Sequence, residues 1–146
     1  MRNITLLASS LAVTLLAACG GSDPPSGNAD MAGGGTGLTL PTDCAAGVTA
    51  ASLVGANGVY TQTCAFKGCH NGGSTFNAVT ADDLKTLAGK AATQTTKYKL
   101  VAAGSPEQSY LIYKLYNKQS IAGGNGDIMP QSKPMLAKAD LCKFIT

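Results

Sequence analysis

The first 41 residues offer almost nothing to a core, and that limits what this chain can fold into. Met1-Arg2-Asn3 is a short basic start, and Ile4 to Ala18 is an apolar run shorter than the about 20 residues that a membrane-spanning helix needs. The run closes on Leu16-Ala17-Ala18-Cys19 and continues as Gly20-Gly21-Ser22, the plan of a secretory signal segment. Residues 20–41 are mostly Gly, Ser, Pro, Asn and Asp. They carry too little apolar surface to offset the entropy of ordering, so a flexible tether is expected there. Folding falls to residues 42–146, a length that suits one domain. The whole chain holds three Phe, five Tyr and no Trp, against 18 Gly. A small domain so short of bulky side chains calls for a disulfide, a metal or a prosthetic group.

Charge excludes one class of partner. The formal net charge is +3, and the basic residues form no block and are not interleaved with aromatics. Nucleic acid is therefore not an expected partner. Along the folded part the spacing predicts an all-α architecture. Residues 49–61 place Leu53, Ala56 and Tyr60 at helical spacing, weakened by Gly55 and Gly58. Thr80, followed by Asp82 and Asp83 and then by Leu84 and Leu87, reads as an N-cap with acids in the first turn. Ser105, Pro106 and Gln108 predict a capped start to a helix over 105–117. Residues 122–135 form a Gly/Pro loop, and 136–146 a final helix. No alternating strand pattern and no internal repeat stands out.

The chemistry is concentrated in Cys64-Ala65-Phe66-Lys67-Gly68-Cys69-His70, which holds two of the five cysteines and the single histidine. Covalent attachment of a c-type haem asks for such a cluster. Two thiols add across the porphyrin vinyl groups, and the adjacent imidazole reaches the iron. The usual spacing is C-x-x-C-H; here it is C-x-x-x-x-C-H, with the Cys-His adjacency kept and the loop back to the first thiol lengthened by two residues. Other uses of these residues fit less well. Zinc lacks an evident fourth ligand, and a blue-copper centre normally takes two histidines. Nucleophilic catalysis through His70 would need neighbours in sequence to point at one another. With one histidine, a second axial ligand from the chain has to be something else. Met129, in the Gly/Pro loop beside Pro130, and Met135 are the thioether candidates, an open or lysine-ligated position is the remaining alternative, and Met31 falls in the tether.

Several of these features, taken in order, resemble the monohaem class I c-type cytochrome domains of exported bacterial proteins. They are Tyr60 four residues before Cys64 with the small Ala56 one turn earlier, the Cys64, Cys69 and His70 group, Gly104-Ser105-Pro106, Ser109-Tyr110-Leu111, Lys114-Leu115 and Met129-Pro130. The resemblance covers about residues 47–146. It implies a small helical domain wrapped around one covalent haem, with Cys64 and Cys69 as attachment sites and His70 and Met129 as axial ligands. The apolar residues Tyr110, Leu111 and Leu115 would wall the haem. In such a fold the first and last helices cross, which implies a Cys44–Cys142 disulfide. The segment ending at Cys19 resembles a bacterial lipobox, in which that cysteine is acylated.

The expected organisation is a lipoprotein signal peptide over 1–18, a lipid-anchored flexible linker over 19–41 and a cytochrome c-like haem domain over 42–146. Such a protein would be exported and anchored on the periplasmic side, the residue after Cys19 pointing to the outer membrane. It would pass electrons to redox partner proteins of the envelope and would not be an enzyme with a small-molecule substrate. The competing expectation is a haem-free envelope lipoprotein, a structural or interaction module with Cys64 and Cys69 joined in a disulfide.

Overall fold

A computed structural model of the chain describes residues 38–73 and 76–146. The signal segment, Cys19 and nearly all of the tether lie outside the described residues. Among the described residues five short helices are joined by long turns: α1 (Ala50–Val54), α2 (Val59–Thr63), α3 (Ala81–Lys85), α4 (Tyr110–Leu115) and α5 (Lys138–Ile145), with a 3₁₀ turn at Pro106–Gln108. Among the described residues β pairing is confined to isolated bridges, such as Ala91 with Lys99 and Ala88 with Val101. The architecture is small and helical. No described helix is long and apolar enough to cross a membrane.

The helix expected over 49–61 is broken in two. Thr49 and Ser52 cap α1 reciprocally, but α1 stops at Gly55 and α2 starts only after Gly58. The chain doubles back so closely that a Cβ on Gly58 would lie 2.1 Å from the Leu53 carbonyl oxygen. Only glycine fits there. The cap expected at Thr80 is present, its hydroxyl accepting from the Asp83 N–H while the Asp83 carboxylate accepts from the Thr80 N–H.

The start expected at Ser105 differs. Ser105 makes no side-chain cap, and an extended Ser109 separates the 3₁₀ turn from α4. The first N–H groups of α4 are satisfied instead by a neighbouring segment: Tyr110 donates to the Lys99 carbonyl at 2.8 Å and Leu111 to that of Leu100 at 3.1 Å. With those donors used, the helix needs no side-chain cap.

Two apolar clusters build the region that matters below. One centres on Tyr60, Ala78 and Leu87, the other on Ile112, Leu115 and Leu141, where α5 packs on α4. Phe144 touches both; Ile145 joins only the second. Cys44 and Cys142 are disulfide-bonded, with Cα atoms 5.1 Å apart and a sequence separation of 98. Beside that bond Lys138 pairs with Asp43 at 2.7 Å, an exposed contact that adds little stability.

Candidate cofactor site

The two extra residues between the cysteines are taken up by a tight loop. At the end of α2 the N–H groups of Cys64 and Ala65 both donate to the Tyr60 carbonyl. The chain then turns through Gly68 at φ +88°, and the His70 N–H returns to the Cys64 carbonyl at 3.2 Å. Cys69 and Asn71 donate to the Phe66 carbonyl, and Gly73 to that of Cys69. Gly73 closes against Gly68 so tightly that a Cβ there would lie 2.1 Å from the Gly68 oxygen. His70 is thereby held beside the first cysteine despite the longer spacing.

The imidazole is fixed on several sides. Its Nδ1 lies 3.4 Å from the Phe76 carbonyl oxygen, and its ring stacks on Phe76 at 4.2 Å between centroids. The Tyr60 ring stands 6.2 Å away, centroid to centroid. Burial holds its pKa below the ordinary histidine value, so the ring is neutral at pH 7. Neutral is the form that ligates a metal. A backbone carbonyl at Nδ1 is a common way to orient the other nitrogen for ligation.

Cys64 carries a free, half-buried thiol, with Thr63 Oγ1 at 3.3 Å. Burial raises its pKa, so it is protonated at neutral pH. Cys69 is disulfide-bonded, and not to Cys64, so the Cys64–Cys69 bond expected for a haem-free protein does not form.

These residues open onto one apolar cavity of about 860 Å³, a volume within the range of small-molecule and cofactor sites. Cys64, Cys69 and His70 line it, and so do Met129 and Pro130, which come from the far end of the sequence. Met129 is positioned by its N–H, which donates to the Lys114 carbonyl at 3.1 Å, and by packing on the Ile112, Leu115 and Leu141 cluster. Met135 does not line the cavity and is 41% exposed. Between the two thioether candidates, the structure brings only Met129 to the cavity.

Leu111 and Leu115 form part of the wall as expected; Tyr110 does not. Leu111 and Leu115 are four apart and share one face of α4, whereas Tyr110 shares another face with Tyr113. It packs on Ala92, Tyr113 and Ala122 and donates to the Asn125 carbonyl at 2.9 Å.

Two features of the lining had no counterpart in the sequence reading. Among the described residues, four lysines line the cavity (67, 85, 133 and 143) and no acidic residue does. Lys85 and Lys143 are paired with Asp82 and Asp140, and Lys133 lies 4.1 Å from the centroid of the Phe66 ring. The other is Tyr60, which lines the cavity while its hydroxyl is buried with no hydrogen-bond partner among the described residues. Leaving such a donor unmet costs about 1–3 kcal/mol. No sequence pattern marks it, since an aromatic at that position reads equally well as core.

Among the described residues no cluster of three or more His, Cys, Asp and Glu side chains could hold a metal ion. A porphyrin brings four nitrogens of its own, so a haem needs only axial ligands from the chain. The donor set here, one neutral imidazole and one thioether on an apolar cavity, suits that group. Comparison with known proteins adds no relative: no family model, curated protein or solved structure matches the chain.

Proposed function

We propose that this chain is an electron carrier that holds one c-type haem covalently and is tethered to a membrane surface through Cys19. The observation that carries the reading is the convergence of Cys64, Cys69 and His70 with Met129, about sixty residues later, on one apolar cavity. When bound, the haem supplies reversible one-electron chemistry at iron.

The chain's own residues do the rest. His70 offers its second ring nitrogen to the metal while the Phe76 carbonyl fixes the ring. Met129 offers a soft sulfur, which favours the reduced metal and raises the potential. Cys64 and Cys69 hold the group covalently, so that it is not lost outside the cell. Leu111, Leu115 and Phe144 keep water away. A lipid and linker at residues 19–41 would confine the domain near the membrane and raise the local concentration of an envelope redox partner.

Covalent attachment needs Cys69 as a thiol, so the haem and the disulfide at Cys69 exclude each other. That disulfide is the one observation favouring a haem-free envelope module. A haem stain on a denaturing gel decides between them, after the full chain is exported together with cytochrome maturation proteins. A stained band at the chain's mass is expected; an unstained band from folded, exported protein overturns the haem. In the stained protein, Met129→Ala should lower the midpoint potential and open a coordination position to added ligands. An unchanged visible spectrum and potential would remove Met129 from the site.

A further inference from the structure

Lys114 is a charged side chain that α4 keeps buried, at 6% exposed, although taking an ammonium out of water is costly unless it is paired. It does not line the cavity, so it is not itself a ligand to what fills it. Its Nζ donates to the Asn125 carbonyl at 3.2 Å, an acceptor shared with the Tyr110 hydroxyl. Asp127, two residues further on, adds an opposite charge that favours the ammonium. The main-chain carbonyl of Lys114 accepts from the Met129 N–H at 3.1 Å. Residues 125–129 are therefore tied at both ends to one residue of a helix, and the thioether of the cavity stands at one of those ends.

Between the two ties the segment has little stiffness of its own. Gly126 takes φ +77°, the left-handed region that glycine enters freely. A Cβ there would lie 3.1 Å from the Lys114 Nζ, so the backbone passes close over the ammonium. A further tie, from Gln119 to the Gly126 carbonyl, is exposed. The bond through the Lys114 main chain is available to any side chain at this position; the bond through the ammonium is not. It is also the stronger of the two donors on Asn125, since a charged donor makes a hydrogen bond about twice as strong as a neutral one.

We propose that Lys114 is a positioning residue, whose buried ammonium clamps residues 125–129 and so keeps the Met129 sulfur at the cavity against competing ligands. The proposal rests on the reading of Met129 as an axial ligand and adds what holds that ligand in place.

The test is Lys114→Met in the full, haem-loaded chain, with added imidazole as the probe of the sixth position. Imidazole should bind the ferric variant about tenfold more tightly than the wild type, the worth of one hydrogen bond to a charged group, and the midpoint potential should fall. Met129→Ala in the same preparation marks the fully open site, and Lys114→Met should lie between it and the wild type. Tyr113→Phe controls for stability alone. It loses hydrogen bonds on the same helix, and should lower the melting temperature while binding imidazole as the wild type does. An unchanged imidazole affinity in Lys114→Met, with Met129→Ala clearly open, overturns the clamp and leaves the ligand assignment standing. A Met129→Ala variant that binds imidazole no better than the wild type removes the ligand and this proposal with it, as does a chain that takes no haem stain. Should Lys114→Met not accumulate, hydrogen exchange of the loaded wild type reads the same segment. Exchange at the Met129 amide as slow as in α4 supports the clamp, and exchange as fast as in the exposed turns overturns it.

Discussion

The cavity side of the molecule and the tyrosine side are built from similar residues and end in opposite states. On the tyrosine side Ala92, Tyr110, Tyr113 and Ala122 are all buried, and the phenols of Tyr110 and Tyr113 each meet a partner. Even Lys114 is satisfied there, its Nζ donating to the Asn125 carbonyl at 3.2 Å. On the cavity side the Tyr60, Ala78 and Leu87 cluster is surrounded by side chains that are only partly buried, Leu53, Leu84, Val101 and Phe144 among them. The Tyr60 hydroxyl has no hydrogen-bond partner among the described residues. One region is closed by the chain itself. The other leaves apolar surface open around a cavity, where the proposed cofactor would be held.

The largest expected effect bears on what keeps that unfinished side together. Replacing Cys44 and Cys142 by Ala should cost about 5 kcal/mol in the chain-entropy account of a loop of this length, read as a lower midpoint in denaturant unfolding. A haem-loaded protein that lost much less would show that the cofactor, rather than the disulfide, holds the cavity walls.

The next effect sets phenol against phenol. In the haem-free chain Tyr113→Phe should destabilise by about 1 kcal/mol, since it strips the Glu107 carbonyl and the Tyr98 hydroxyl of a partner. Tyr60→Phe in the same preparation should be neutral or stabilising. Equal losses at both positions, measured by thermal melting, would erase the contrast between the two regions.

The smallest effect is a pH dependence at α3, beneath the cavity wall formed by Leu84 and Leu87. Hydrogen bonds from Thr80 and Val79 hold the Asp83 carboxyl below its ordinary value. A carboxyl depressed on folding contributes stability that is present above its unfolded value and lost as pH falls through the folded one. Acid titration of stability should therefore show a loss below about pH 4 that shrinks in Asp83→Asn.

What the sequence made legible was local chemistry and scarce residues. Thr80 with Asp83 is a cap wherever it occurs, and five cysteines with one histidine leave few assignments open. Cys44 and Cys142 do bond, and the segment from Cys64 to His70 folds back on itself. What stayed hidden depends on neighbours far away in the chain. Gly58 breaks the first helix because the backbone must pass close over Leu53, and α4 needs no cap because Lys99 and Leu100 supply its acceptors. Apolar character alone groups Tyr110 with Leu111 and Leu115, yet one residue along a helix turns a side chain by about 100°. The Tyr60 hydroxyl was invisible for a deeper reason: a missing partner is a property of the surroundings, and no residue spells it.

The bond between Cys44 and Cys142 also has a mechanical consequence. Cys44 stands where the leading segment enters the fold, and Cys142 sits in the last helix. A pull arriving from the N-terminal side is handed across the sulfur bridge to α5, and the backbone it encloses is bypassed. While the bridge lasts, a pull between the leading segment and the last helix leaves the backbone of α1 to α4 outside its path.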